Sequence, residues 1–119
     1  MDFSRGAGKE EFGMAQCKVI WTKTADLQLV GILEYWVNRN KSATYSKKLL
    51  KQVVKKTKQI AKTPEIFPLS DFPETRVAPL DHFSILYKIK NDLIVVTAFW
   101  DNRQDPKKLL EILRNQKTN

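Results

Sequence analysis

The spacing of the apolar residues changes once along this chain, at a loop that contains Pro64, Pro68 and Pro73. Before the loop, apolar side chains recur at helical intervals over residues 24–39 and 42–62, which predicts two helices. After the loop they follow a period of two, which predicts strands at 76–80, 83–90 and 93–100. Such a change predicts an α+β fold, in which a helical hairpin packs on a small, mainly antiparallel twisted sheet.

Two shorter segments complete the predicted fold. The alternation within residues 17–22 predicts an opening strand. Asp105 followed by Pro106 predicts the start of a last helix, because proline favours the first helical position. Thr24 and Ser42 are the predicted N-caps of the two helices in the hairpin. The predicted order of elements is β-α-α-β-β-β-α.

The length of 119 residues predicts one domain, which we place at residues 17–119. Residues 1–16 show little apolar periodicity, and residues 1–13 contain three of the four glycines. We therefore expect a flexible N-terminal extension. Met14 is an alternative start, which leaves open whether residues 1–13 are native.

The formal net charge of +8 is concentrated in one segment of the chain. Residues 39–62 hold one arginine, eight lysines and no acid, so the rest of the chain is close to neutral. Six of these lysines recur at helical spacing opposite the apolar stripe, and this pattern predicts a surface that binds an anionic partner: Lys47, Lys48, Lys51, Lys55, Lys58 and Lys62. The alternative is an ordinary solvated helix face.

Several kinds of site are excluded by residue types that the chain lacks. Cys17 is the only cysteine and His82 the only histidine, which excludes an internal disulfide and a metal site built from these residue types. Because the sequence has no glycine-rich phosphate loop and no apolar run of about 18 residues, we expect no cofactor, no metal and no membrane span. The polar start lacks a secretory signal, so we expect a cytoplasmic protein.

Three further segments contain recognisable motifs. They are an opening strand with its helix start, VIWTKTADLQLVGILEYW, a strand pair, RVAPLDHFSILYKI, and a closing strand with its exit, AFWDNRQDPKKL. In this order, over about residues 17–113, they resemble the RelE/ParE superfamily of toxins from bacterial type II toxin–antitoxin modules. The resemblance implies a growth-inhibiting toxin neutralised by a cognate antitoxin that is small, acidic and partly disordered. It also implies that operator DNA is bound only through the antitoxin. The anionic partner expected at the six lysines is then the toxin's target or this antitoxin.

Members of this superfamily act on different targets. RelE-like members are metal-independent endoribonucleases that cleave mRNA, usually on the ribosome, whereas ParE-like members inhibit DNA gyrase. Ser84 stands where a RelE-like site places a key arginine, and no tyrosine follows Tyr87, although a RelE-like site uses a tyrosine near the C-terminus. We therefore favour a ParE-like, gyrase-directed mode, or another non-RelE mode, over ribosome-dependent RNA cleavage.

If the chain is nevertheless a ribonuclease, the candidate catalytic residues are Arg76, His82 and Arg103. The two arginines could lie near each other on adjacent strands. The alternative is structural: His82 is a solvated turn residue, and either arginine pairs with Asp101 or Asp105 at the end of the sheet. A third possibility is a degenerate toxin that acts only by binding its antitoxin and operator DNA.

Overall fold

The computed structural model describes residues 17–115. The expected extension at residues 1–16 lies outside this range. The elements follow the predicted order, with boundaries within two residues of the predicted ones. They are β1 (Lys18–Trp21), α1 (Lys23–Asn40), α2 (Thr44–Lys62), β2 (Arg76–Leu80), β3 (Phe83–Lys90), β4 (Leu93–Asp101) and α3 (Pro106–Asn115).

The four strands form one sheet in the order β1-β4-β3-β2. β2, β3 and β4 are antiparallel neighbours joined by two tight turns, and β1 runs parallel to β4. The turns begin at Asp81 and Asn91, which both have a φ of 59°, a conformation that Asp and Asn tolerate better than most residues. β1 ends at Trp21, opposite Val96, so the last part of β4 has no strand beside it on that edge.

A β-bulge in β4 allows this strand to contribute large side chains to both faces of the sheet. Leu86 pairs with Ala98 and Tyr87 pairs with Val96, which leaves Thr97 as the extra residue. Before the bulge, Ile94 and Val96 face the helical hairpin; after it, Phe99 does so. Ala98 and Trp100 face the opposite side, where they pack with Leu109 of α3. The bulge therefore explains why β4 reads as a nearly continuous apolar run.

The first helix is capped two residues earlier than the sequence suggested. The prediction of Thr24 as the N-cap is wrong, because Thr22 holds this position and its Oγ1 accepts a hydrogen bond of 3.1 Å from the backbone N–H of Ala25. Thr24 lies inside the helix. At the second helix, Ser42 Oγ accepts a bond of 3.2 Å from the N–H of Thr44, although the formal N-cap is Ala43.

The two long helices pack as an antiparallel hairpin on one face of the sheet. The Ser46 hydroxyl donates a 2.7 Å hydrogen bond to the carbonyl oxygen of Leu33, which ties the start of α2 to α1. Trp36 and Tyr45 meet edge to face with ring centroids 5.2 Å apart. Among the described residues, no helix combines the length and the apolar character needed to cross a membrane.

Candidate functional site

The outer side of α2 is a surface of lysines, and we call it the α2 lysine face. Its six members are all exposed and lie opposite the buried side chains of Leu49, Val53 and Ile60. Within residues 17–115, none of them forms an ion pair with a carboxylate. Like charges three and four residues apart destabilise a helix slightly, so this face is electrostatically unfavourable without an anionic partner. The members are Lys47, Lys48, Lys51, Lys55, Lys58 and Lys62.

Two apolar side chains border the α2 lysine face. Leu50 and Val54 are 43% and 45% exposed, one helical turn apart. A shallow depression of about 450 Å³ lies among the lysines of the first three turns of α2. Lys56 has a different role, because its ammonium lies 5.2 Å from the centre of the Phe67 ring and helps to hold the following loop. The exposed face therefore offers positive charge with a small apolar component.

Arg76 holds the proline-containing loop against the sheet. Its guanidinium donates hydrogen bonds to the carbonyl oxygens of Phe67, at 2.6 Å, and Glu65, at 3.4 Å. Beside it, the Tyr87 hydroxyl donates a 2.6 Å bond to the carbonyl oxygen of Pro64, and burial raises the pKa of this phenol. Of the two arginines that could pair with an aspartate at the sheet end, Arg76 is not the one that does so, and one of its terminal nitrogens binds the loop carbonyls instead.

Arg103 forms the predicted ion pair with Asp101. Its Nε donates to Oδ1 at 2.9 Å and one terminal nitrogen donates to Oδ2 at 2.8 Å, while its backbone N–H also reaches Oδ1 at 3.0 Å. These hydrogen bonds hold the pKa of the Asp101 carboxyl below its usual range and raise that of the guanidinium. The pair shapes the turn between β4 and α3.

The three candidate catalytic residues are not brought together. Arg76 stands opposite Tyr87 at the start of β2, whereas Arg103 follows the end of β4, which pairs with Phe83 at the start of β3. The idea that the two arginines are neighbours on adjacent strands is therefore wrong, since the strand register separates them. His82 lies at the same end of the sheet as Arg103, exposed in a tight turn.

The residues around His82 are engaged in structural contacts. The carbonyl oxygen of His82 accepts a 2.8 Å hydrogen bond from the N–H of Asn102. The Ser84 hydroxyl donates a 2.9 Å bond to Oδ1 of the same asparagine. Within residues 17–115, no three His, Cys, Asp or Glu side chains lie together as a metal site would require.

A groove that the sequence did not reveal lies between α1 and the unpaired edge of β4. We call it the α1 groove; it encloses about 690 Å³. Its lining includes Leu27, Gly31, Tyr35 and Arg39 on α1, Phe99 and Trp100 on β4, Arg103 after β4, and Ile112 on α3. Leu27 and Tyr35 are 59% and 54% exposed. The only sequence signal was their spacing with Gly31 along one side of the helix.

Cations and aromatic rings gather at one end of the α1 groove. The guanidinium carbons of Arg39 and Arg103 each lie 5.9 Å from the centre of the Trp36 ring. Tyr35 packs against the same indole, with ring centroids 5.1 Å apart. Nearby, burial, reinforced by the negative charge of Asp81, raises the pKa of the Tyr45 phenol. This end of the groove is positively charged, and the other end is apolar.

Comparison with known proteins agrees with this architecture. The family model described as the ParE toxin of the type II toxin–antitoxin system parDE matches residues 19–106. A solved structure titled as a chromosomal ParDE system from P. aeruginosa is similar in fold, with a TM-score of 0.63 and 19% identity over 71% of this chain and 94% of that one. No curated protein matches the chain in sequence. The family match spans most of the described residues, and the chain therefore belongs to the ParE toxin family of type II toxin–antitoxin systems.

Proposed function

We propose that this chain inhibits growth in the cytoplasm by a ParE-like, gyrase-directed mode and that its toxicity does not depend on RNA cleavage. The observation that supports this most strongly is the position of the two candidate arginines and the groups that they bind. Arg76 is bound to loop carbonyls at the start of β2 and Arg103 to Asp101 at the end of β4, and β3 lies between these two strands. The two guanidinium groups are therefore not placed to act together on one phosphate.

The chemistry of RNA cleavage supports the same proposal. Without a metal, the reaction needs a base for the 2′-hydroxyl, cations for the developing charge and an acid for the leaving oxygen, all within reach of one phosphate. His82 and Arg103 share one end of the sheet, but Arg103 is already paired with a carboxylate. Ser84, at the position of the RelE-like arginine, binds Asn102. The described residues offer no complete set of such groups.

The α2 lysine face is proposed to contact an anionic partner. Lysines bind phosphates without reading sequence, which suits DNA held by gyrase. The same charges, with Leu50 and Val54 beside them, also suit an acidic segment of the antitoxin. An antitoxin bound there would block a target that uses the same surface.

Induction of the chain alone in bacteria tests the proposal. We expect growth arrest with a DNA-damage response and intact mRNA, and inhibition of supercoiling by purified gyrase. Primer extension on ribosome-associated mRNA is the opposing measurement. Codon-positioned cleavage that disappears in Arg103→Ala, but persists in Lys107→Ala on the exposed start of α3, would overturn the proposal.

Harmless expression is the remaining outcome. If the chain causes no arrest but forms a tight, salt-sensitive complex with its antitoxin, it acts only in antitoxin and operator binding. Growth arrest that co-expression of the antitoxin relieves would exclude this degenerate role.

A further inference from the structure

The lysines of the α2 lysine face contribute little to the stability of the fold. Lys47 lies in the first turn of α2, which contains no acidic residue, and the helix dipole disfavours a cation there. Lys51, Lys55 and Lys58 follow at intervals of three and four residues, where like charges repel each other. Of the six members, the dipole favours only Lys62, in the last turn. The isolated helix is therefore destabilised by this row of charge, which a bound anion would compensate.

The six lysines form a narrow and straight row along the outer side of α2. At 3.6 residues per turn they occupy an arc of about 100°, bounded by Lys47 and Lys48. From Lys47 to Lys62 the row extends for about 22 Å along the helix axis. Duplex DNA is also straight over such a distance and carries about 13 phosphate charges along it. The row therefore matches the phosphate backbone in both shape and charge.

The first three turns of α2 offer the best position for a phosphate group. The depression of about 450 Å³ described above lies there, and none of the described residues that line it is acidic. Its lining consists of Thr44, Lys47, Lys48, Lys51, Gln52 and Lys55. Hydroxyl and amide groups donate hydrogen bonds to phosphate oxygens as lysines do. Lys58 and Lys62 extend the positive surface beyond the depression.

The residue types around the row favour a double-stranded backbone over other polyanions. Single-stranded nucleic acid is bound by stacking bases on aromatic rings, whereas the one aromatic ring of α2, Tyr45, packs against Trp36 of α1. A membrane surface is bound by inserting the apolar face of a helix, and Leu49 and Val53 on that face of α2 lie in the core. Lysine contacts to phosphates position a duplex without reading its sequence.

We propose that the α2 lysine face binds the phosphate backbone of duplex DNA directly, without regard to base sequence and with neither gyrase nor an antitoxin as intermediary. The inference rests on the proposed function, which gives this face an anionic partner, and deepens it by choosing DNA over an acidic protein segment. It also adds an activity that the chain has alone. A chain held on DNA in this way is concentrated near the enzymes that act on DNA.

Fluorescence anisotropy of the purified chain with a short labelled duplex tests this in the absence of gyrase. If all six lysines contact phosphates, the logarithm of the binding constant should fall by about 5 for each tenfold rise in salt concentration. Duplexes rich in A·T and in G·C should bind within about twofold of each other. A single strand of the same length should bind more weakly than the duplex.

Two neighbouring lysines provide a matched pair of variants. Lys55 is exposed on the row, whereas Lys56 lies on another side of α2, with its ammonium 5.2 Å from the centre of the Phe67 ring. Lys55→Gln and Lys56→Gln change the net charge equally. Lys55→Gln should weaken binding severalfold and reduce the slope against salt by about 0.9, the value for one phosphate contact. Lys56→Gln should leave this slope unchanged.

A double variant enlarges the effect. Lys51→Gln with Lys55→Gln should reduce the slope against salt by about 1.8, since two phosphate contacts are lost. Lys18 and Lys90 are exposed on strands, away from α2. Lys18→Gln with Lys90→Gln removes the same charge and should leave the slope as it is in the unchanged chain. All variants alter exposed side chains, so far-ultraviolet circular dichroism should show the same fold.

Four outcomes would overturn the inference. They are no binding of the duplex by the unchanged chain, equal losses in Lys55→Gln and Lys56→Gln, tighter binding of the single strand, and tighter binding of polyglutamate or of phosphatidylserine vesicles than of the duplex. Supercoiling by purified gyrase is measured separately. Inhibition of gyrase by a chain that does not bind the duplex would reject this inference and leave the proposed function standing. Binding of the duplex without inhibition would do the reverse.

Discussion

The side-chain oxygen of Gln28 accepts a 2.9 Å hydrogen bond from the backbone N–H of Phe99. This contact joins α1 to β4 at the point where β1 has ended, so a side chain satisfies a backbone donor that a neighbouring strand would otherwise bind. The Nε2 atom of Gln28 is buried and has no hydrogen-bond partner within the described residues. Gln28 therefore satisfies the backbone N–H of Phe99, while its own side-chain amide donor stays buried without an acceptor.

Replacing Gln28 by alanine should destabilise the chain. The N–H of Phe99 would lose its acceptor, and a lost bond to a buried donor costs about 1–3 kcal/mol. Urea denaturation measures this as a lower midpoint with an unchanged slope. Gln59→Ala, at an exposed position of α2, is the control and should leave the midpoint nearly unchanged. Equal midpoints for the two variants would contradict the structural role of the bond.

Asp101→Asn should remove a stabilising contribution that depends on pH. The pKa of Asp101 is lower in the folded chain because Arg103 binds the carboxylate, so ionisation stabilises the fold above the unfolded value of about 3.8. This contribution is lost as the pH falls through the lower, folded pKa. Melting temperatures should therefore differ between the variant and the unchanged chain at neutral pH and converge in acid.

A change at another carboxylate separates this effect from a general change of charge. Asp71 is exposed in the loop before β2, and Asp71→Asn removes the same charge far from Arg103. We expect little change in melting temperature for this control at neutral pH. A pH-independent difference for Asp101→Asn would show that the ion pair is not its cause.

Reversing charges on the α2 lysine face should weaken binding of the anionic partner without destabilising the fold. Lys51 and Lys55 are exposed, so Lys51→Glu with Lys55→Glu keeps the core and relieves repulsion along α2. Binding to the proposed target, DNA held by gyrase, should fall, with a smaller dependence on salt. The same two changes at Lys107 and Lys108 on α3 are the control. Equal losses from both surfaces would indicate a non-specific effect of net charge.

The loop between α2 and β2 should loosen when its hydrogen bond to Tyr87 is removed. Tyr87→Phe keeps the buried ring but leaves the carbonyl oxygen of Pro64 without this donor, which should cost about 1 kcal/mol. Faster protease cleavage within residues 63–75 is the expected readout. Tyr35→Phe removes a hydroxyl from a ring that is 54% exposed and should leave cleavage unchanged. Identical cleavage of the two variants would argue against this role.

Local patterns predicted the elements well because their causes are local. Pro64 ends α2, Asp105 caps α3 through its bond to the N–H of Lys107, and Pro79 is tolerated because β2 is an edge strand. Thr22 was missed as an N-cap because Thr24 is an equally good cap in sequence. Only the direction of the chain leaving β1 distinguishes them.

Less of the candidate site could be predicted from the sequence. The separation of Arg76 from Arg103 depends on the strand register, and the α1 groove exists only because β1 stops before the end of β4. The spacing of Leu27, Gly31 and Tyr35 was the only local signal for the groove, and it does not show where β1 ends. The α2 lysine face was visible as a charge run, but its role as a binding surface stays a prediction.

The bulge at Thr97 makes the length of β4 matter as much as its composition. If the same residues continued in strict alternation without the bulge, Phe99 and Trp100 would exchange sides, so that the ring now stacked on Phe83 at 5.2 Å would leave the helical side. Deleting Thr97 would remove the extra residue and keep both rings on their present sides, whereas inserting one residue beside it would exchange them.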